Sequence, residues 1–125
     1  MFALMRLTVD VENARLGDAS GFTPARVLAM ATIDGARVLG LDHVTGSLTP
    51  GKRADIQLLR STDPNLAPIG HPAAALVHAG QPSNVDTVMV DGRLLKRSGT
   101  LVGVETATIV AEARAALATL LARAD

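Results

Sequence analysis

The chain contains no cysteine, no tryptophan and no tyrosine, and only two phenylalanines among its 125 residues. Zero cysteines exclude disulfides, thiolate zinc sites and a cysteine nucleophile; they fit a cytoplasmic protein. So few aromatic rings leave almost no platform on which bases can stack. An excess of either charge is missing too. Twelve basic and twelve acidic side chains cancel and neither sign is massed in a block, so no nucleic-acid or acidic-lipid partner is expected. No run reaches the ~18 uninterrupted apolar residues of a membrane span. Arg, Asp, Glu or Gly cuts every apolar segment, and no membrane partner is expected. The stretch from Met1 to Leu7 has no basic region before its apolar residues, and Asp10 and Glu12 follow soon after, so it does not read as a signal peptide.

What is present is apolar. Hydrophobic residues make up 48% of the chain and the mean hydropathy is +0.29. A chain this short is one domain by length and buries only about two-thirds of its unfolded surface. The surplus points to a buried interface, with another chain or with more of the same chain.

Phe2 to Leu16 reads as a helix. Phe2, Met5, Val9 and Leu16 fall near one face, and Leu4, Leu7 and Val11 widen it to most of the circumference, which predicts burial on two sides. Gly17 to Gly21 is a loop. Thr23-Pro24 restarts a helix with Thr as N-cap and Pro at the first helical position. Val27, Leu28, Met30 and Ala31 form its apolar side. Asp34-Gly35 predicts an interruption, and a second short helix, Ala36 to Leu39, ends at Gly40. A seam follows at Gly46 to Leu59, where Pro50-Gly51 suits a type II turn and Ala54 to Leu59 reads as a strand. Ser61 to Gly70 is a loop, and Pro72 to Ala79 a short helix closed by Gly80. Val85 to Val90 and Arg93 to Arg97 make a hairpin around Asp91-Gly92, a type I′ signal. Ser98-Gly99 turns again, and Thr100 to Val102 adds at most a little strand. A last helix runs from about Glu105 to Arg123, with Ile109, Ala113, Ala116, Leu117, Leu120 and Leu121 at helical spacing. Glu105 near its start and Arg123 near its end suit the dipole.

The expected fold class is therefore α+β: helices, then a small three-stranded, mostly antiparallel sheet, then a C-terminal helix. Its segments are residues 1–45 (helices), 46–104 (sheet, with a short helix near 72–79) and 105–125. The apolar character of both faces of 85–90 predicts a strand central to a larger sheet.

Chemistry is scarce. His43, His71 and His78 each stand alone, with no His-x-His and no His-Glu-x-x-His. His71 and His78 are seven apart and can share a helix face, but the default is a packed or capping residue at His78 and a loop residue at His43. Ser47, Ser61, Ser83 and Ser98 all fall in turns, where serine is expected for local hydrogen bonding. Gly51-Lys52 lacks the remainder of a phosphate-binding loop. Lys52-Arg53 has the charge to bind an anion, but the default is a solvated turn with its charge near Asp55. Asp86 and Asp91 read as a strand start and a hairpin turn.

Three stretches resemble a known family: Thr23 to Leu41, Gly46-Ser-Leu-Thr-Pro-Gly-Lys-Arg-Ala-Asp55, and Val85-Asp-Thr-Val-Met-Val-Asp-Gly-Arg93. In that order they are similar to the C-terminal third of the amidohydrolase superfamily, nearest to its cytosine-deaminase and triazine-hydrolase (chlorohydrolase-like) group. The resemblance implies a parent with a (β/α)8 barrel and a small composite β-sandwich built from both chain ends, of which this chain is an incomplete part. It implies a divalent metal, zinc or iron, for full-length members, held by a His-x-His, further histidines and an aspartate after the eighth strand. None has a counterpart here, so no catalytic, cofactor-binding or metal residue is expected in this chain, and no cofactor. The implied parent activity is hydrolysis of C–N bonds or ring substituents by a metal-bound water. The implied partner is the missing N-terminal barrel, which would cover the first helix and pair with the strand at 85–90. The rival expectation is a non-catalytic structural module that self-associates as a homo-oligomer. A third is a site shared between subunits through His71 and His78.

Overall fold

The computed structural model describes residues 1–123; the last two positions of the 105–125 segment lie outside the described residues. Helix α1 spans Phe2–Leu16 and ends at Gly17, whose φ of 65° lets Gly17 and Asp18 donate back to Ala14 and Asn13. Helix α2, Pro24–Ala29, starts as its punctuation predicts: the Thr23 side chain accepts from Arg26 N–H at 3.3 Å.

Asp34-Gly35 does not interrupt the helix. The chain widens to a π-turn over Met30–Asp34 and continues into α3, Gly35–Val38, with Gly35 at helical φ. Two side chains explain how the pattern is bridged. The Thr32 hydroxyl takes the Leu28 carbonyl at 2.7 Å, one turn back, in competition with the backbone ladder. Asp34 is clamped by Arg26 and Arg37, each at 2.6 Å. The helix then closes at Gly40, φ 69°, with Gly40 N–H on Arg37 and Leu41 N–H on Ala36.

The Pro72 helix, α4 (Pro72–Ala74), also runs on with π pitch over Ala75–Ala79 before a short 3₁₀ turn, Pro82–Asn84. Met5, Val9, Val27 and Val77 meet where α1, α2 and this helix touch, with Phe2, Phe22, Leu28 and Ala31 packed around them. Each such burial is worth on the order of 1.5–3 kcal/mol, a small core for a chain of this length.

The sheet has four strands, not three: β1 (Ile56–Leu59), β2 (Val85–Val90), β3 (Arg93–Arg97) and β4 (Thr100–Leu101), antiparallel in chain order. The fourth exists because Ser98 and Gly99 both take positive φ, 50° and 79°, giving a second two-residue hairpin like that at Asp91 (48°) and Gly92 (78°). Strand β1 starts at Ile56, two residues later than expected, because Ala54 and Asp55 serve the neighbouring hairpin tip. Strand β2 is central, but its neighbours are already present: β1 and β3 occupy both its edges. The edges left open belong to β1 and β4.

Helix α1 is buried on one side only. Leu4, Leu7 and Val11 stay 53–61% exposed, and Leu16, placed by periodicity on the inner face, is exposed as well. Helix α5, Thr106–Leu121, is exposed along its described length. Leu58, Val90, Leu94 and Leu95 of the sheet are also exposed. The chain presents 8813 Å² to solvent, whereas a compact 12.9 kDa monomer presents roughly 6,300 Å² by surface-to-mass scaling. About 2,500 Å² is thus in excess of that scaling. No helix among the described residues is long and apolar enough to cross a membrane.

Candidate functional site

The seam is built as a brace. Pro50-Gly51 forms the expected turn, with Gly51 at φ 92° and Lys52 N–H on the Thr49 carbonyl at 3.2 Å. The turn sends the Lys52 ammonium back to the Asp42 carbonyl and, at 3.2 Å, to the Thr45 carbonyl. Arg53 N–H adds a bond to Val44 at 2.8 Å. Lys52 is thus a tie for the loop after α3, not an anion-binding residue on a solvated turn. Asp55 completes the brace. One carboxylate oxygen accepts from Asp91 N–H at 2.7 Å, the other from the Thr45 hydroxyl at 2.9 Å. The Asp91 amide, then the Thr45 hydroxyl and the Arg53 charge, hold the Asp55 carboxyl below the usual carboxylate range. The Arg53–Asp91 pair at 3.8 Å is exposed on both sides and adds little.

A second polar cluster joins the loop after β1 to the start of β2. Asn84, 1% exposed, donates to Asp63 at 2.7 Å and Asn65 at 2.9 Å, and accepts from Gln81 N–H at 2.8 Å and Asn65 at 2.9 Å. Asn65 also donates to the Ala79 carbonyl at 2.8 Å. Arg60 reaches Asp63 at 3.1 Å and the Ser83 carbonyl at 2.6 Å. Asp63 is held below the usual range by the Asn84 amide first and Arg60 second. Sequence reasoning reads Asp63-Pro64-Asn65 as a plain loop and misses this cluster; its one visible sign is three amide- or carboxylate-bearing residues flanking a helix and a strand start. Every hydrogen-bonding atom of the Asn84 side chain is matched, as a buried amide requires.

The candidate chemical residues are not brought together. His71 is the N-cap of α4, its Nδ1 accepting from Ala74 N–H at 3.4 Å. His78 is exposed in the π-turn and caps nothing, contrary to the expected packed or capping role. His43 is exposed in the turn after α3. Ser47 pairs with the Thr49 hydroxyl at 2.9 Å. Ser61, Ser83 and Ser98 are exposed. Asp86 sits in β2, 3.6 Å from Arg60, and Asp91 in the hairpin turn. Among the described residues no group of three His, Asp or Glu side chains is placed to hold a metal ion.

Two concavities among the described residues hold about 500 Å³ or more. The larger, an open groove of about 660 Å³ between α1, α3 and the seam, is walled by Leu4, Met30, Leu39, Leu41 and Leu48. Its carboxylate, Asp55, is already committed to Asp91 and Thr45. The second, about 500 Å³, has Asp10 and His78 in its wall beside Asn13, whose amide is occupied by the Phe22 and Ala19 backbone. The larger one reads as an open packing surface: apolar walls with its carboxylate already bonded.

Residues 1–95 match the amidohydrolase family. The chain is 38% identical over 120 residues to the 5′-deoxyadenosine deaminase of Methanothermobacter thermautotrophicus, covering 96% of this chain and 28% of the relative. It is 38% identical over 109 residues to a 5-methylthioadenosine/S-adenosylhomocysteine deaminase of Desulforudis audaxviator, covering 87% and 25%. Among solved structures, an adenosine deaminase from Xanthomonas campestris with bound zinc superposes with a TM-score of 0.86 at 31% identity, covering 91% of this chain and 26% of that one. The zinc complex of atrazine chlorohydrolase from Arthrobacter aurescens gives 0.77 at 26% identity, over 92% and 26%. The chain thus spans about a quarter of the length of the relatives it matches. With a family match over three quarters of its residues and a backbone that superposes on about a quarter of those enzymes, the chain belongs to the amidohydrolase family.

Proposed function

We propose that this chain is the C-terminal segment of a metal-dependent deaminase that acts on an adenine nucleoside or a close derivative, and that by itself it binds no catalytic metal and has no activity. The observation that carries this is the mismatch in coverage: 96% of the chain aligns, but with only 28% of the relative. The uncovered faces support the same reading. About 2,500 Å² of excess surface is the share one side contributes to a large obligate interface, and it lies on the outer side of α1, the groove, the sheet and α5. The residues present do not fit a zinc site, since the histidines are dispersed and the brace carboxylates are bonded. The role of this segment is then to lock the helical layer to the sheet through Lys52 and Asp55. A cytoplasmic location goes with this reading, on the absence of cysteine.

The test is a chimera. The matching quarter of the Xanthomonas adenosine deaminase is replaced by this chain, and zinc content and ammonia release from adenosine are measured beside the isolated chain. The chimera is expected to be soluble, zinc-loaded and active, and the isolated chain to hold well under one zinc after chelation and re-addition. Stoichiometric zinc or deamination in the isolated chain, or an insoluble chimera from a soluble parent, overturns the proposal.

A further inference from the structure

Asp-Gly occurs twice in the chain, at 34–35 and 91–92. The pair has a backbone chemistry of its own. Glycine has no Cβ to obstruct its amide nitrogen, which can close on the preceding aspartyl carboxyl. A bond forms from that nitrogen to Cγ, the Cγ–OH bond breaks, and water leaves with the amide hydrogen. A second water opens the cyclic imide. Breaking the nitrogen–Cγ bond restores aspartate. Breaking the bond from nitrogen to the main-chain carbonyl leaves isoaspartate, with the chain running through the former side chain. Water is the only co-reactant. The rate depends on whether carboxyl and nitrogen are free to meet.

At 34–35 they are not. The Asp34 side chain is 23% exposed and held by Arg26 and Arg37 at 2.6 Å each. Gly35 is helical at φ −60°, and the N–H groups at this point go to the Met30 and Thr32 carbonyls. Ring closure there has to break a continuous helix and two ion pairs. The Asp91 side chain is 63% exposed, and Arg53, its one charged partner among the described residues, lies 3.8 Å away and is as open to water. Such a pair holds little. Nothing lies within 4 Å of a Cβ placed on Gly92, so the tip has room for the ring. The β2–β3 ladder ends at Val90 and Arg93. Beyond it the tip is held by Gly92 N–H on the Ala54 carbonyl at 3.2 Å and Asp91 N–H on the Asp55 carboxylate at 2.7 Å. Bonds at the end of a ladder open at little cost, and opening the first frees the attacking nitrogen. We propose that Asp91 is a site of spontaneous conversion to isoaspartate, from which Asp34 is protected. The product adds one main-chain methylene to a turn built for two residues and so loosens the bond between Asp91 and Asp55. The proposal does not rest on the deaminase reading.

The test is ageing of the folded chain in heavy-oxygen water, followed by digestion and peptide mapping with electron-transfer fragmentation. Each passage through the imide leaves one heavy oxygen at the residue, whichever product forms. Label and isoaspartate at Asp91 are expected to exceed those at Asp34 severalfold, and the two sites to become alike when the chain is aged unfolded in urea. Equal labelling of the two sites in the folded chain, more at Asp34, or none at Asp91 overturns the proposal. Asp55→Ala removes one of the two bonds that hold the tip. It is expected to raise labelling at Asp91 severalfold with Asp34 unchanged, whereas an unchanged rate at Asp91 counts against opening of the tip as the controlling step.

Discussion

Gly46 gives the sharpest check on the seam. Its φ is +85°, and a Cβ there lies 2.8 Å from the Ala36 Cβ, 3.0 Å from the Ile33 Cα and 3.2 Å from the Thr32 carbonyl oxygen. Two penalties therefore combine in Gly46→Ala. A left-handed backbone costs an L-residue roughly 1–2 kcal/mol. The contacts are with helix backbone and with Ala36, itself buried, so neither can swing aside; overpacking of that kind costs about 1–3 kcal/mol. Gly51 is the control: its φ is +92° with nothing within 4 Å of the added Cβ. Gly51→Ala is expected to cost only the backbone part, about 1–2 kcal/mol, and Gly46→Ala about 2–5 kcal/mol. With neither tryptophan nor tyrosine to report, the assay is urea unfolding followed by far-ultraviolet circular dichroism. At a slope of about 1–3 kcal/mol per molar urea, the Gly46 variant shifts its midpoint by on the order of 1–2 M more than the Gly51 variant. Equal midpoints for the two refute the close approach of the seam to α3.

Asn84→Ala strands the Asp63, Asn65 and Gln81 groups it bonds. Leaving a buried polar group unmatched costs about 1–3 kcal/mol, so urea unfolding should show a loss of that size, and an unchanged midpoint counts against the network. The Asp55 carboxyl is held low in the folded chain and returns to about 3.9 when unfolded. Its contribution is present above that value and is lost as pH falls through the lower folded value. The unfolding midpoint should therefore drop below about pH 4, and Asp55→Asn should be less stable than the parent at pH 7 with a flatter acid limb; parallel acid limbs refute the assignment. Lys52→Met should release the 42–45 loop, read as faster amide exchange at residues 42–45 with β2 unchanged; equal exchange refutes the tie.

Most secondary structure is legible because local chemistry decides it. Thr23-Pro24, Pro50-Gly51 and Asp91-Gly92 each demand a backbone geometry that few alternatives satisfy, and each is found where expected. What is not legible comes from competition between local and non-local terms. Asp34-Gly35 reads as a break, yet the Arg26–Asp34–Arg37 clamp and the Thr32 hydroxyl carry the helix across it. Periodicity marks seven apolar positions around α1, but only tertiary packing decides that Met5 and Val9 are covered while Leu4, Leu7 and Val11 are not. The Asn84 cluster escapes because its members are nineteen or more positions apart in their longest pairings and share no pattern.

The seam lies inside the stretch that matches the amidohydrolase family, and its polar side chains are occupied in holding the backbone. Lys52 spends its ammonium on two backbone carbonyls, and Asp55 spends both oxygens on Asp91 and Thr45. Gly46 and Gly51 supply positive φ, one under close contact and one in the open. Together they fix the angle at which the chain leaves a helical layer and enters a sheet. Under the proposed function, that angle sets how the sheet and α5 sit relative to the body that α1 packs against. Damage to the seam in the chimera should therefore appear as lost solubility and lost zinc together, with adenosine affinity unaltered in whatever folded fraction survives.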